Sequence, residues 1–164
     1  TDCLLKRGAE HVIALDVAYG QIDDTIRNHP QVTVIERLNA RDLLPMDLEY
    51  RPDLAVIDVS FISLTKVLEA VLGCLAEEIL AMVKPQFELG RKRVGRGGVV
   101  RGADDRREAV AGVADFALGL GLTLRGIAPT GLPGPKGNLE TFIRLGCSGP
   151  GAHSGAELCE GVDV

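Results

Sequence analysis

Two residues able to handle protons stand at the ends of apolar segments. AVIDVSFISL, residues 55 to 64, carries Asp58 within a run that otherwise reads as a strand, and AMVKPQFE, residues 81 to 88, carries Lys84. An ionised carboxylate in an apolar layer is costly unless it is paired, hydrogen-bonded or placed at an opening. Asp58 read alone is an acid satisfied by the amides of the turn from Val59 to Ser63, or one favoured by the start of a helix near Ser63. Neither explains Lys84 at the same end of the following strand. A carboxylate and an ammonium converging on one crevice form a paired site in which each group tunes the other.

Other strand ends carry further groups. Asp16 closes HVIALDV, either as an acid accepting hydrogen bonds from ribose hydroxyls or as a cap on the next turn. Asn39 and Arg41 follow VTVIER. Glu140, after Gly137 and Asn138, is by itself a solvated strand-end charge, but a hairpin return would carry it back toward Lys84. Between Glu88 and Gly102 the segment ELGRKRVGRGGVVRG gathers Arg91, Lys92, Arg93, Arg96 and Arg101 around a single acid. Its glycines at 90, 95, 97 and 98 allow close backbone approach to a ligand, and arginines pair well with phosphate. It is no P-loop, because G-x-x-x-x-G-K-[ST] is absent. His11, His29 and His153 lack metal-ligand spacing, so no metal site is expected.

The elements that would position these groups are legible in the apolar pattern. Runs at 11–17, 32–37, 53–60, 78–85, 122–130 and 139–145 have the near-continuous character of strands covered on both faces. Leu64, Val67, Leu68, Val71, Leu72 and Leu75 follow helical spacing, as do Val110, Val113, Ala114, Ala117 and Leu118. Asp104 or Asp105 would cap the second of these helices and Gly119 or Gly121 would end it, and a shorter helix is expected over 21–29. Strands alternating with helices predict an α/β, doubly wound, mostly parallel sheet. TGLPGPKGN is too short for a crossover, so the last two strands should form an antiparallel hairpin. Residues 1–146 would then be one domain and 147–164, rich in Gly, Ser and Ala, a disordered tail.

The 164 residues, 46% hydrophobic, suit a single globular domain with a true core. TDCLLKRG reads as the last turns of a helix closed by Gly8, as though the chain began partway through a fold. Cys3, Cys74, Cys147 and Cys159 are widely spaced without a C-x-x-C pair, which favours reduced thiols in a cytoplasmic protein. No apolar run approaches the roughly 18 residues of a membrane span. A net charge of -5 opposes a general polyanion binder, with the basic loop as the local exception.

Taken together and in order, DVAYGQ, ERLNAR, VIDVSFISL, AMVKPQFE, VGRGGVVR and GPKGNLE resemble the TlyA-type, or hemolysin A, family of ribosomal RNA ribose methyltransferases, related to the FtsJ group. The likeness runs from Thr1 to about Leu145. It implies a Rossmann-like methyltransferase domain transferring a methyl group from S-adenosylmethionine to a ribose 2'-hydroxyl of ribosomal RNA, typically on a cytidine. Of the family's Lys-Asp-Lys-Glu catalytic set it places three members on Asp58, Lys84 and Glu140. The first lysine, the first strand with its Gly-rich cofactor turn, and an S4-type RNA-binding domain have no counterpart here.

The resemblance further implies that Asp16, Tyr19, Asn39, Ala40 and Asp58 hold the cofactor, and that Arg91, Lys92, Arg93, Arg96 and Arg101 meet RNA or ribosomal subunits. No metal is required, since the sulfonium leaves as a neutral thioether. One alternative is a catalytically incomplete RNA-binding or ribosome-associated module of the same fold. Another is a nicotinamide-dependent dehydrogenase, which shares Asp16 but leaves Asp58, Lys84 and the basic loop unexplained. The family's second name raises a membrane-lytic toxin, which the acidic balance and the lack of a spanning or cationic amphipathic segment oppose. A hemolysin-like protein without lytic activity remains. The sequence leaves the oligomeric state open.

Overall fold

The computed structural model describes residues 1–74, 77–90, 92–95, 97–162 and 164, and among them are six strands, six α-helices and three 3-10 turns. α1 (Asp2–Lys6) ends at Gly8, whose φ of 91° only glycine adopts readily. β1 (Val12–Asp16), α2 (Asp24–Arg27) and β2 (Val32–Glu36) form a parallel two-stranded unit. The helix expected over 21–29 is thus a single turn, started by the Asp23 carboxylate, which accepts the Thr25 N–H at 2.8 Å.

A second sheet has the order β3-β4-β6-β5. β3 (Leu54–Ile57) and β4 (Glu78–Val83) are parallel, and β6 (Thr141–Gly146) runs antiparallel to both β4 and β5 (Thr123–Pro129). The predicted C-terminal hairpin is therefore present. Burial alternates along β4, with Ile79, Ala81 and Val83 fully enclosed, and Ile143 and Leu145 of β6 join the same core. α3 (Leu68–Cys74), preceded by a 3-10 turn at Leu64–Lys66, and α5 (Ala103–Gly119) cover it with Leu68, Val71, Val110 and Val113. Leu75 lies outside the described residues.

The structure departs from expectation in four places. First, the two sheets are separate: among the described residues no pairing joins β1 to β3, and Leu54 and Val56 of β3 are exposed instead of covered on both faces. Second, neither Asp104 nor Asp105 caps α5. Gly102 holds that position without a side-chain bond, and the two acids lie in the first turn, where the helix dipole favours them.

Third, the segment 147–164 is not a disordered tail. Ala152 bridges to Leu124, α6 (Gly155–Leu158) lies on α5, and Cys159 and Val164 are buried in the core. Its small residues serve close packing. A Cβ on Gly155 would fall 2.3 Å from the Ala111 carbonyl oxygen, while the Gly155 N–H donates to Asp115 at 2.5 Å. Fourth, β3 ends at Ile57, short of the expected run 53–60; the four thiols are free, with Cys74 and Cys159 buried and Cys3 exposed.

Candidate active site

β3 stops at Ile57, so Asp58 is outside the strand and not in its middle. That resolves the apparent cost of the charge: its side chain is 58% exposed, and Oδ1 lies 2.8 Å from Lys84 Nζ. Lys84 follows β4 directly and is 13% exposed, its stem packed while its ammonium also donates to Ser60 Oγ at 3.0 Å. Parallel pairing of Ile57 with Ala81 brings the ends of β3 and β4 side by side. Adjacent strand ends converge on one ammonium.

Glu140 arrives from the other side. Val83 pairs with Thr141 as the last pair of that antiparallel ladder, and Lys84 and Glu140 are the residues flanking it. The strand begins one residue after Glu140, whose Oε1 accepts from Gln86 Nε2 at 3.1 Å. Gln86 belongs to α4 (Pro85–Glu88), a single turn with Pro85 in its first position, which a missing N–H suits. The Gln86 side-chain oxygen, Oε1, is buried without a hydrogen-bond partner among the described residues.

Sequence reasoning overlooked four side chains here. Ser60 holds Lys84, Gln86 holds Glu140, Phe87 touches Phe61 with ring centroids 5.2 Å apart, and Glu88 accepts from Ser63 Oγ at 2.5 Å and Leu64 N–H at 2.9 Å. Phe61 is 91% exposed and has φ of 64°, an uncommon conformation for a bulky residue. Burial raises the Glu88 carboxyl above its ordinary range, opposed by the Ser63 and Leu64 hydrogen bonds. All four lie within the quoted VIDVSFISL and AMVKPQFE stretches, where attention to the charged pair hid them.

The first sheet carries a second group of polar ends. Asp16 Oδ1 accepts the Ala18 N–H at 2.8 Å, the turn-capping role, and this leaves the other carboxylate oxygen able to accept hydroxyls. Tyr19 is exposed, with the Arg37 guanidinium 4.5 Å from its ring centre. Asn39 caps a 3-10 turn at Ala40–Asp42 by accepting the Arg41 N–H, and Ala40 packs against the core. Arg27 beside Glu36 holds that carboxyl below its ordinary range.

The basic loop is less cationic than its composition. Arg93 pairs with Asp105 and Glu108 of α5, which offset its charge. Lys92 and Arg101 are exposed, and Arg91 and Arg96 lie outside the described residues. Buried Asn138 fastens the loop to the hairpin, accepting the Val100 N–H at 2.9 Å and donating to the Gly98 carbonyl at 2.8 Å. No group of three metal-ligating side chains occurs, and no helix is long and apolar enough to cross a membrane, among the described residues.

Parallel strands with polar groups at their carboxyl ends and an antiparallel last hairpin define the Rossmann-like methyltransferase class. The chain belongs to the FtsJ-like methyltransferase family, whose model matches residues 1–147. It is 49% identical over 147 residues to the 16S/23S rRNA (cytidine-2'-O)-methyltransferase TlyA of Mycobacterium tuberculosis, covering 88% of this chain and 55% of that protein. Two solved structures, candidate hemolysins from Streptococcus thermophilus and Lactococcus lactis, superpose with TM-scores of 0.87 at 35% and 36% identity. They cover 92% and 91% of this chain and 55% and 73% of theirs. The chain spans little more than half the length of the first relatives it matches.

Proposed function

We propose that the protein transfers a methyl group from S-adenosylmethionine to the 2'-hydroxyl of a ribose, on a cytidine of ribosomal RNA, in the cytoplasm. The observation that supports this most is the Lys84 ammonium, its stem packed, in contact with Asp58 and Ser60 and, like Glu140, next to the last pair of the β4–β6 ladder. A ribose hydroxyl is a poor nucleophile, so it must be aligned and relieved of its proton as attack proceeds. Lys84 Nζ, in its neutral form, takes that proton as the oxygen–methyl bond forms. Asp58 and Glu140 orient the amine and the hydroxyl.

When bound, S-adenosylmethionine supplies an electrophilic methyl group on a leaving thioether. The Asp16 carboxylate, with one oxygen bonded to the Ala18 N–H, would hold the cofactor's ribose hydroxyls through the other, and Tyr19, Asn39, Ala40 and Asp58 would hold the rest of it. Lys92 and Arg101 meet the RNA backbone, together with Arg91 and Arg96, and with Arg93 as far as its pairing to Asp105 and Glu108 permits. Exposed Phe61 offers a ring on which an unstacked base would lie.

The test is transfer of a labelled methyl group to ribosomal subunits by the full chain as expressed from its gene, beside its Asp58→Ala variant. Incorporation that falls at least about a hundredfold in the variant supports the reading. RNA binding without transfer by the wild type would favour the non-catalytic module, and equal transfer by both proteins would remove Asp58 from the chemistry.

A further inference from the structure

The segment from Asp58 to Ser63 is neither helix nor strand, yet it carries two groups in contact with Lys84, Asp58 and Ser60, and between them and Ser63 the ring of Phe61, which meets Phe87. Something must fix its shape. At one end the Asp58–Lys84 pair holds it, and this contact is largely open to water. At the other end the Glu88 carboxylate accepts from the Ser63 hydroxyl and the Leu64 N–H. Ser63 Oγ in turn accepts the Thr65 N–H as the cap of the 64–66 turn and shares a 2.8 Å hydrogen bond with the Thr65 hydroxyl, which donates when the Ser63 proton goes to Glu88.

Between these anchors Phe61 keeps a left-handed backbone conformation, uncommon for a bulky residue, which persists only where the surroundings over-determine it. Lys84 and Glu88 are the first and last residues of one short element, the Pro85–Glu88 turn with its cap. The same turn therefore grips both ends of the segment. Both donors to Glu88 are neutral, so its service here is geometric, and Gln would supply it with one acceptor for Leu64 and one donor for Ser63.

We propose that Glu88 is a positioning residue: by anchoring Ser63 and Leu64 it sets the conformation of 58–63 that presents Asp58 and Ser60 to Lys84. Its effect on rate rests on the methyl-transfer reading above, whereas its effect on the segment does not. Two measurements on the full chain separate them. In amide hydrogen exchange, Glu88→Ala is expected to speed exchange at least tenfold within 59–64, with Glu88→Gln close to wild type.

In methyl transfer, Glu88→Ala is expected to lower kcat by about 10²-fold, the cost of a misplaced group. The KM for S-adenosylmethionine should change less than threefold, and Glu88→Gln should restore kcat. If Glu88→Ala does not fold, Ser63→Ala removes one of the two bonds and should show the same exchange change in smaller degree. Unchanged exchange in 59–64 overturns the anchoring role. Faster exchange with kcat within threefold of wild type, or a Glu88→Gln variant as impaired as Glu88→Ala, overturns the positioning role. A wild type that binds but transfers no methyl group counts against the functional reading, with exchange still deciding the anchor.

Discussion

Replacing Lys84 by methionine keeps the packed stem and removes the ammonium, which separates the residue's contribution to chemistry from its contribution to stability. The ion pair lost is with an Asp58 that is 58% exposed, so no buried charge is stranded. A pair of this kind contributes about 0–1 kcal/mol, which in a chain of this length lowers Tm by no more than about 4 °C. Loss of a positioned proton acceptor, by contrast, slows a reaction about 10²- to 10⁴-fold, equivalent to about 3–5 kcal/mol of barrier. The assay combines a thermal melt, an S-adenosylmethionine titration and the initial rate of methyl incorporation into ribosomal subunits. The expected result is near-native folding and cofactor affinity with a rate at least a hundredfold down. A rate within fivefold of wild type would show that Nζ takes no proton in the slow step.

Three further outcomes follow from other parts of the molecule. Ile143, fully enclosed in β6 between β4 and β5, should lose about 2–5 kcal/mol of stability on Ile143→Ala, read as a lower denaturant midpoint at unchanged slope. Arg144 beside Glu78 holds that carboxyl below its ordinary value of 4.5. The stability this adds is present above the ordinary value and fades as pH falls through the lower folded-state value, so Glu78→Gln should destabilise at pH 7 and converge with wild type in acid melts. Lys92→Ala and Arg101→Ala should each weaken RNA binding and reduce the salt slope by about 1, whereas Arg93→Ala, already paired with Asp105 and Glu108, should change that slope little.

The strands, the antiparallel hairpin and the major helix were legible because their apolar spacing is set by burial, as in Ile79, Ala81 and Val83 or in Val110, Val113 and Ala117. The convergence of Asp58 and Lys84 was legible for the same reason, since parallel neighbours deliver their carboxyl ends together. The fate of residues 147–164 was not. Gly155 reads as a flexible residue, yet here its lack of a side chain admits contact with Ala111, a property of the partner surface that composition does not encode. Likewise Arg93 counts as a free cation until folding brings α5 beside it. The roles of Ser60, Gln86 and Glu88 depend on hydrogen bonds spanning 24 to 54 residues, for which local pattern has no signal. Leu54 and Val56 are exposed because β3 is the edge of its sheet, which the apolar run 53–60 alone does not reveal, although the resemblance already lacked a first strand.

The central claim is that the methyl group goes to a ribose oxygen, and alkaline hydrolysis of the labelled RNA tests it most directly. A 2'-O-methyl group removes the hydroxyl that attacks the neighbouring phosphodiester, so the bond survives alkali. The account predicts label in an alkali-resistant dinucleotide, produced by wild type and lost with Lys84→Met. Label recovered in mononucleotides would mean that a base was methylated, and would contradict it.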